Sequence, residues 1–203
     1  IVLVVLFVFP LVVYLFFASG VNHFAKLPVL TQNVQEIGQY SDAQFKDRIT
    51  VLGFFGNALQ DKKALALNLN QKIYKRFYQF TDFQFLIALP KGTEEQAADL
   101  KAELEGTTGT DMSRWTLVFL EPEQLKTVFE SLYLPLELDQ TLSNPYVFII
   151  DREGNLRGRD DDDFFGYDAR SVADINNNMV DDVKVILAEY RLALKKYNQG
   201  RKP

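Results

Sequence analysis

Residues 145–157 read Pro-Tyr-Val-Phe-Ile-Ile-Asp-Arg-Glu-Gly-Asn-Leu-Arg. The apolar run Tyr146 to Ile150 has the composition of a buried strand, and Glu153-Gly154-Asn155 supplies turn residues. Leu156 to Arg159 then reads as a short return strand, so the stretch predicts a hairpin. Downstream, Ser171 with Asp174 forms a helix-capping signature. Val172, Ile175, Met179, Val183, Ile186, Tyr190, Leu194 and Tyr197 follow at steps of three and four residues. They form one apolar stripe opposite Asp181, Asp182, Lys184 and Arg191, and the stripe is expected to cover a sheet. A coiled-coil seam is the alternative reading of this stripe.

Upstream, strands and helices alternate. Ile49 to Phe55 (ITVLGFF) and Phe83 to Leu89 (FQFLIAL) are near-continuous apolar runs, as expected of strands covered on both faces. Between them Leu65, Leu69, Ile73 and Phe77 recur every four residues, among lysines and arginines, which predicts an amphipathic helix. Thr93 to Leu104 reads as a helix opened by a Thr93–Gln96 capping box. Trp115 to Leu120 is a third strand, and Pro122 to Leu132 a helix with proline near its start. The order β-α-β-α-β-α-β-β-α implies an α/β fold, a central mixed sheet flanked by helices.

Ile1 to Ala18 is uncharged and almost wholly apolar. As a helix it would run about 27 Å, close to the roughly 30 Å hydrocarbon core, and it is read as one N-terminal transmembrane helix. The run exceeds the apolar length of a signal peptide. A chain opening on Ile1 rather than Met is expected to lack part of its natural N-terminus. The domain plan is a transmembrane anchor over 1–19, a linker over 20–30 holding the sole histidine, His23, a globular domain over 31–198 and a tail over 199–203.

Composition excludes several classes. The 203 residues carry a net charge of −5, which disfavours a phosphate-backbone binder, so no nucleic-acid partner is expected. Cysteine is absent and there is one histidine. Disulfides, thiolate nucleophiles, zinc–cysteine sites and multi-histidine metal centres are therefore out of reach of a single chain.

Three segments carry a family resemblance. They are Val51-Leu-Gly-Phe-Phe-Gly56, the strand opened by Trp115, and Pro145 to Arg157. With the apolar N-terminal helix and the Leu27-Pro28-Val29-Leu30 approach, they resemble the SCO family, thioredoxin-fold copper chaperones of cytochrome c oxidase assembly. The resemblance implies a thioredoxin-like fold over roughly Leu27 to Lys196. In that family a C-x-x-x-C motif begins four residues past the strand-ending glycine, and counting from Gly56 places its cysteines at Gln60 and Ala64. The family's histidine ligand precedes the strand that ends in Asp-x-x-Gly, and Leu142 to Pro145 holds none. Pro145 is similar to the cis-proline of thioredoxins and peroxiredoxins. A cis bond after Asn144 is the corresponding expectation, with Pro145 facing Asn57 to Gln60. The region of Gln60, Ala64 and Pro145 is thus read as a vestigial active site.

Local candidates remain. Asp160, Asp161, Asp162 and Asp163 could take a hard cation, against the plainer reading of a solvated hairpin tip beside Arg157 and Arg159. Asp61 with Lys62 and Lys63 is a polar rim or a helix N-terminus. Asn176 to Asn178 is expected on a solvated face, and Phe164-Phe165-Gly166-Tyr167 as a loop whose aromatics either contact a partner or lipid or, one or two of them, pack into the core. The resulting expectation is a non-catalytic, membrane-anchored, SCO-like binding or assembly module without a cofactor. Its partners would be a membrane protein complex, such as a respiratory oxidase, and the lipid bilayer. Its site would be the bacterial inner membrane, facing the periplasm. The alternative is a metallochaperone with a rebuilt non-cysteine site.

Overall fold

The computed structural model describes residues 2–18, 26–161 and 163–199. His23, Asp162 and the tail from Gly200 lie outside the described residues, as do the side chains of Leu194 and Tyr197. Seven strands form one sheet in the order β1-β6-β5-β2-β3-β4, with β7 pairing β5. The strands are β1 (Val29–Thr31), β2 (Ile49–Phe55), β3 (Phe83–Pro90), β4 (Trp115–Leu120), β5 (Ser143–Ile150), β6 (Leu156–Arg157) and β7 (Tyr167–Asp168). β2, β3 and β4 run parallel. β5 is antiparallel to β2, β6 and β7, and β1 is antiparallel to β6.

Side-chain alternation explains why the parallel strands are apolar throughout. Ile49, Val51 and Phe55 enter one core with Phe83, Phe85, Ile87, Val147 and Ile149. Leu52 and Phe54 enter the other with Leu86, Ala88, Phe148 and Ile150. The first core is covered by α2 (Lys63–Leu69), α3 (Lys75–Phe77), α4 (Glu94–Thr108) and α7 (Val180–Gln199). The second is covered by α5 (Pro122–Glu130) and by Val34, Ile37 and Phe45 from the segment ahead of β2. Leu65, Leu69, Ile73 and Phe77 are all buried, as their spacing predicts, although a π turn over Asn70–Tyr74 interrupts the helix.

The hairpin forms as expected, with Ile149 opposite Arg157 and Ile150 opposite Leu156. Ser171 Oγ accepts from Asp174 N at 3.1 Å and caps α6 (Val172–Asp174). A second π turn, Ile175–Met179, then leads into α7. The stripe covers the sheet through Ile175, Met179, Val183 and Ile186, all fully buried. Its ends differ from expectation. Val172 is exposed, and Tyr190 is half-buried, with its hydroxyl on the Glu153 carboxylate and the Arg152 guanidinium 5.6 Å from its ring centre.

Three further expectations give way. Thr93 does not cap α4, because its hydroxyl donates to Pro90 O at 2.8 Å; the capping box forms instead at α5, between Glu121 and Gln124. Asp182, placed on the solvent face by periodicity, is buried, where it accepts from Arg159 Nε (2.7 Å) and the Tyr167 hydroxyl (3.0 Å). The domain also begins earlier than residue 31. Leu27 is buried, and Val29–Thr31 pairs with β6.

The N-terminal helix α1 (Val2–Ala18) holds 17 residues, all uncharged, with Pro10 inside. Among the described residues no helix is long and apolar enough to cross a membrane. At 1.5 Å per residue α1 runs about 25 Å, short of a roughly 30 Å hydrocarbon core. Its described side chains are nonetheless exposed but for the half-buried Val13, Phe7 at 70%, Phe9 at 66% and Tyr14 at 69% among them.

Candidate functional site

β2 ends at Phe55, and the chain turns sharply at Gly56, whose φ is +67°. A Cβ there would lie 2.2 Å from the Thr141 carbonyl oxygen, so only glycine fits. Asn57 N donates to that same oxygen at 2.9 Å. The loop after β2 is therefore fastened to the segment that precedes β5. A 3₁₀ turn, Leu59–Lys62, follows and feeds α2. Leu59 is buried beneath it, while Gln60 and Ala64 both face solvent. The two positions counted from Gly56 thus sit at the exposed start of the helix that follows the first core strand.

The facing segment is held by one carboxylate. Asp139 accepts from the Thr141 and Ser143 backbone N–H groups at 2.8 and 3.0 Å. It also accepts from the Thr141 and Ser143 hydroxyls at 2.6 and 2.7 Å. Lys62 Nζ donates to Ser143 Oγ at 2.8 Å, joining the 3₁₀ turn to this cluster. Partial burial of Asp139 raises its pKa, but the hydrogen bonds from Thr141 and Ser143 outweigh this and hold it at about 2. Such a carboxylate is a poor proton acceptor at neutral pH, and Ser143 is only 1% exposed. The cluster clamps two loops together and leaves the serine hydroxyl without an effective base.

The clamp has a pH signature. Asp139 titrates at about 2 when folded and near 3.9 when unfolded, so its ionised form stabilises the fold above the unfolded value. That contribution fades as pH falls through the folded value. Asp139→Asn should therefore lower the urea midpoint at pH 6, and the gap from the unaltered protein should narrow toward pH 2. A gap independent of pH would show that Asp139 ionisation does not matter.

Pro145 lies in trans linkage, since no cis peptide bond occurs among the described residues. It occupies an irregularity in the β2–β5 ladder, where Gly53 pairs with Val147 but Phe54 pairs with Asn144. Its missing N–H costs no ladder bond there, and its carbonyl accepts from Ala169 N at 3.0 Å. The contacts that reach Gly56 and Asn57 come instead from Thr141 and Ser143.

The other sequence candidates are scattered. Asp160, Asp161 and Asp163 are exposed. Asp161 and Asp163 line an open pocket of about 410 Å³ with Arg159, Asp168 and Asp174. Asp168 is engaged by Arg170 at 2.8 Å, and Asp174 by Asn178 and Asp168 N. Among the described residues no group of three His, Cys, Asp or Glu could hold a metal ion. Arg157, the return-strand arginine beside the expected solvated tip, is buried and pairs with Asp151 at 3.1 Å and Glu189 at 2.7 Å. The aromatic loop follows its packed reading, with Tyr167 buried and Phe164 half-buried, their ring centres 5.1 Å apart. Asp61 is exposed and makes no capping bond, and Lys63 pairs with Glu103 at 2.7 Å. Asn176 and Asn178 are half-buried, and Asn178 binds Asp174 at 2.6 Å.

A parallel β-α-β unit, β2 to β3, is thus joined edge to edge with an antiparallel hairpin, β5 to β6, whose chain continues into a covering helix. With helices on both faces of the mixed sheet, this is a thioredoxin-like α/β domain.

No protein-family model matches the sequence, and no curated protein matches it. Solved structures do. One is provisionally named a protein disulfide isomerase, from Bacteroides thetaiotaomicron, at 12% identity over 81% of this chain and 95% of that one, with a TM-score of 0.47. Another is provisionally named for electron transfer, from Aquifex aeolicus, at 17% identity over 70% and 78%, with a TM-score of 0.49. A third is the thioredoxin domain of a thiol-disulfide oxidoreductase from Bacteroides vulgatus, at 18% identity over 81% and 99%, with a TM-score of 0.43.

Proposed function

We propose that this chain is a membrane-tethered binding module, a thioredoxin-like domain that works by docking rather than by thiol or copper chemistry. The observation that carries the reading is the place where a redox pair would stand. Gln60 and Ala64 occupy it, both exposed, in a chain without cysteine. The neighbouring polar groups Lys62, Ser143 and Asp139 are consumed in a clamp. α1 supplies the tether. Its side chains are uncharged and nearly all their described members stand in solvent, a state that water penalises and lipid does not. A helix slightly shorter than the hydrocarbon core is accommodated by local thinning of the bilayer.

The partner class follows from the SCO resemblance carried by Val51–Gly56, Trp115 and Pro145–Arg157. It is a membrane protein complex, a respiratory oxidase in the first instance, with the domain on the periplasmic side of a bacterial inner membrane. Blue-native electrophoresis of membranes in mild detergent tests this. Co-migration of the chain with a complex far larger than its own 23.3 kDa is the expected result. Migration only as the free chain overturns it.

A further inference from the structure

Between α5 and the segment 133–142 lies a groove of about 300 Å³. Its apolar lining comes from Phe129, Leu136, Leu138 and Leu142. Lys126, Glu130, Glu137 and Asp139 make up the rest. The charges are unevenly committed. Lys126 is neutralised by Glu123 at 3.0 Å, and Asp139 is saturated by the clamp. The Glu130 and Glu137 carboxylates are exposed and carry no ion pair or hydrogen bond among the described residues.

The segment itself is held in an unusual conformation. Tyr133 at its start and Leu142 at its end have φ of +53° and +62°, in the left-handed region that bulky side chains rarely adopt. Tyr133 is 81% exposed, the most exposed of the large apolar side chains outside α1 among the described residues. An aliphatic groove with two unpaired carboxylates on its lining, beside a segment that also exposes an aromatic ring, has the make-up of a recognition surface.

We infer that this groove docks a segment of a protein partner that carries an aliphatic or aromatic anchor flanked by lysine or arginine. The anchor enters among Leu136, Leu138 and Leu142, and the flanking cations meet Glu130 and Glu137. Charge complementarity selects this occupant over an acidic or uncharged one. The inference rests on the docking reading above and gives it a surface. The groove shares Asp139 with the clamp, so the segment that fastens the loop after β2 also shapes the groove wall.

The test uses the full chain in nanodiscs and two labelled decapeptides with one Leu-Phe-Leu centre, flanked by lysines in one and by glutamates in the other. Fluorescence anisotropy should show the lysine-flanked peptide bound at least about tenfold more tightly. Glu130→Lys with Glu137→Lys should remove that preference. Reversing two exposed carboxylates elsewhere, Glu94→Lys with Glu95→Lys on α4, should leave it intact. Equal binding of the two peptides, or equal loss in both charge-reversed variants, overturns the proposal. Native gels separate the two readings. A Glu130→Lys, Glu137→Lys chain that still co-migrates with the complex removes this groove and leaves docking in place. An unaltered chain that runs free removes the assembly reading, and the peptide result still decides the groove.

Discussion

Replacing Arg157 with Ala is expected to destabilise the protein by about 3–5 kcal/mol, the usual cost of stranding a buried carboxylate. Arg157 is 5% exposed, and Asp151, its partner at 3.1 Å, is 1% exposed. Its guanidinium also donates to Glu189 at 2.7 Å and to Leu27 O at 2.8 Å. One side chain therefore joins the lead-in to β1, the hairpin turn and the last helix. Burial disfavours the guanidinium's charge, but the bonds to Asp151 and Glu189 more than compensate and its pKa is raised. Removing Asp151 as well does not simply restore stability, because its carboxylate also accepts from Glu153 N and Asn155 N in the turn. Arg157→Ala combined with Asp151→Asn should recover part of the loss, since the amide keeps an acceptor and carries no charge. Urea denaturation of the full chain in detergent, followed by circular dichroism, measures all three. A loss below about 1 kcal/mol for Arg157→Ala would place this pair with exposed salt bridges instead.

Arg157 also shows where sequence reading stops. The strands β2, β3, β4 and β5 were legible because burial on two faces leaves an apolar run that hardly needs interpretation. The hairpin was legible because Gly154, at φ +82°, sits in turn chemistry between two apolar stretches. The charges were not. Arg157 falls in the short return strand beside the Asp160–Asp163 run, nothing local marks it as a buried ion-pair partner, and its partner Glu189 lies 32 positions away. Asp182 sits opposite the apolar stripe by periodicity, yet Tyr167 and Arg159 draw it into the interior. Periodicity sorts residues by hydrophobicity and has no information about which polar groups will find partners.

The candidate site divides in the same way. Gly56 and the start of the following helix could be placed by counting, and Gln60 and Ala64 indeed fall at that helix start. The clamp could not, because Lys62 and Ser143 are separated by 81 positions. A partial signal was present: Asp139-x-Thr141-x-Ser143 is the spacing of an aspartate that closes on its own backbone two and four residues on. The strands β1 and β7, three and two residues long, are too short to show alternation.

Trp115→Ala is expected to cost about 3–5 kcal/mol, a large part of a domain's roughly 5–15 kcal/mol. Trp115 opens β4 and is 1% exposed. Its ring stacks on Phe85 at 4.5 Å and meets Tyr74 edge-on at 5.3 Å. Tyr74 stands on the π turn after α2, and its hydroxyl donates to Asp111 O at 2.8 Å. Deleting the indole therefore undermines a ring that fixes a helix as well as a strand. The void would also open toward the candidate site. A cavity of only about 10 Å³ already touches Trp115, Phe55 and Leu59, and Leu59 is the buried foot of the turn that carries Gln60. Cavities of the size left by a lost indole collapse incompletely, so the turn should loosen as well as the core. Trp115→Phe keeps a ring against Phe85 and should cost only about 1–2 kcal/mol. Because Trp115 is the chain's one tryptophan, unfolding of both variants has to be followed by circular dichroism. Hydrogen exchange at residues 59–64 reads the coupling directly. Faster exchange there in Trp115→Ala than in Trp115→Phe, beyond what the global stability difference accounts for, is the expected outcome. Equal local protection would mean that the clamp of Lys62, Ser143 and Asp139 holds the turn without support from the core beneath it.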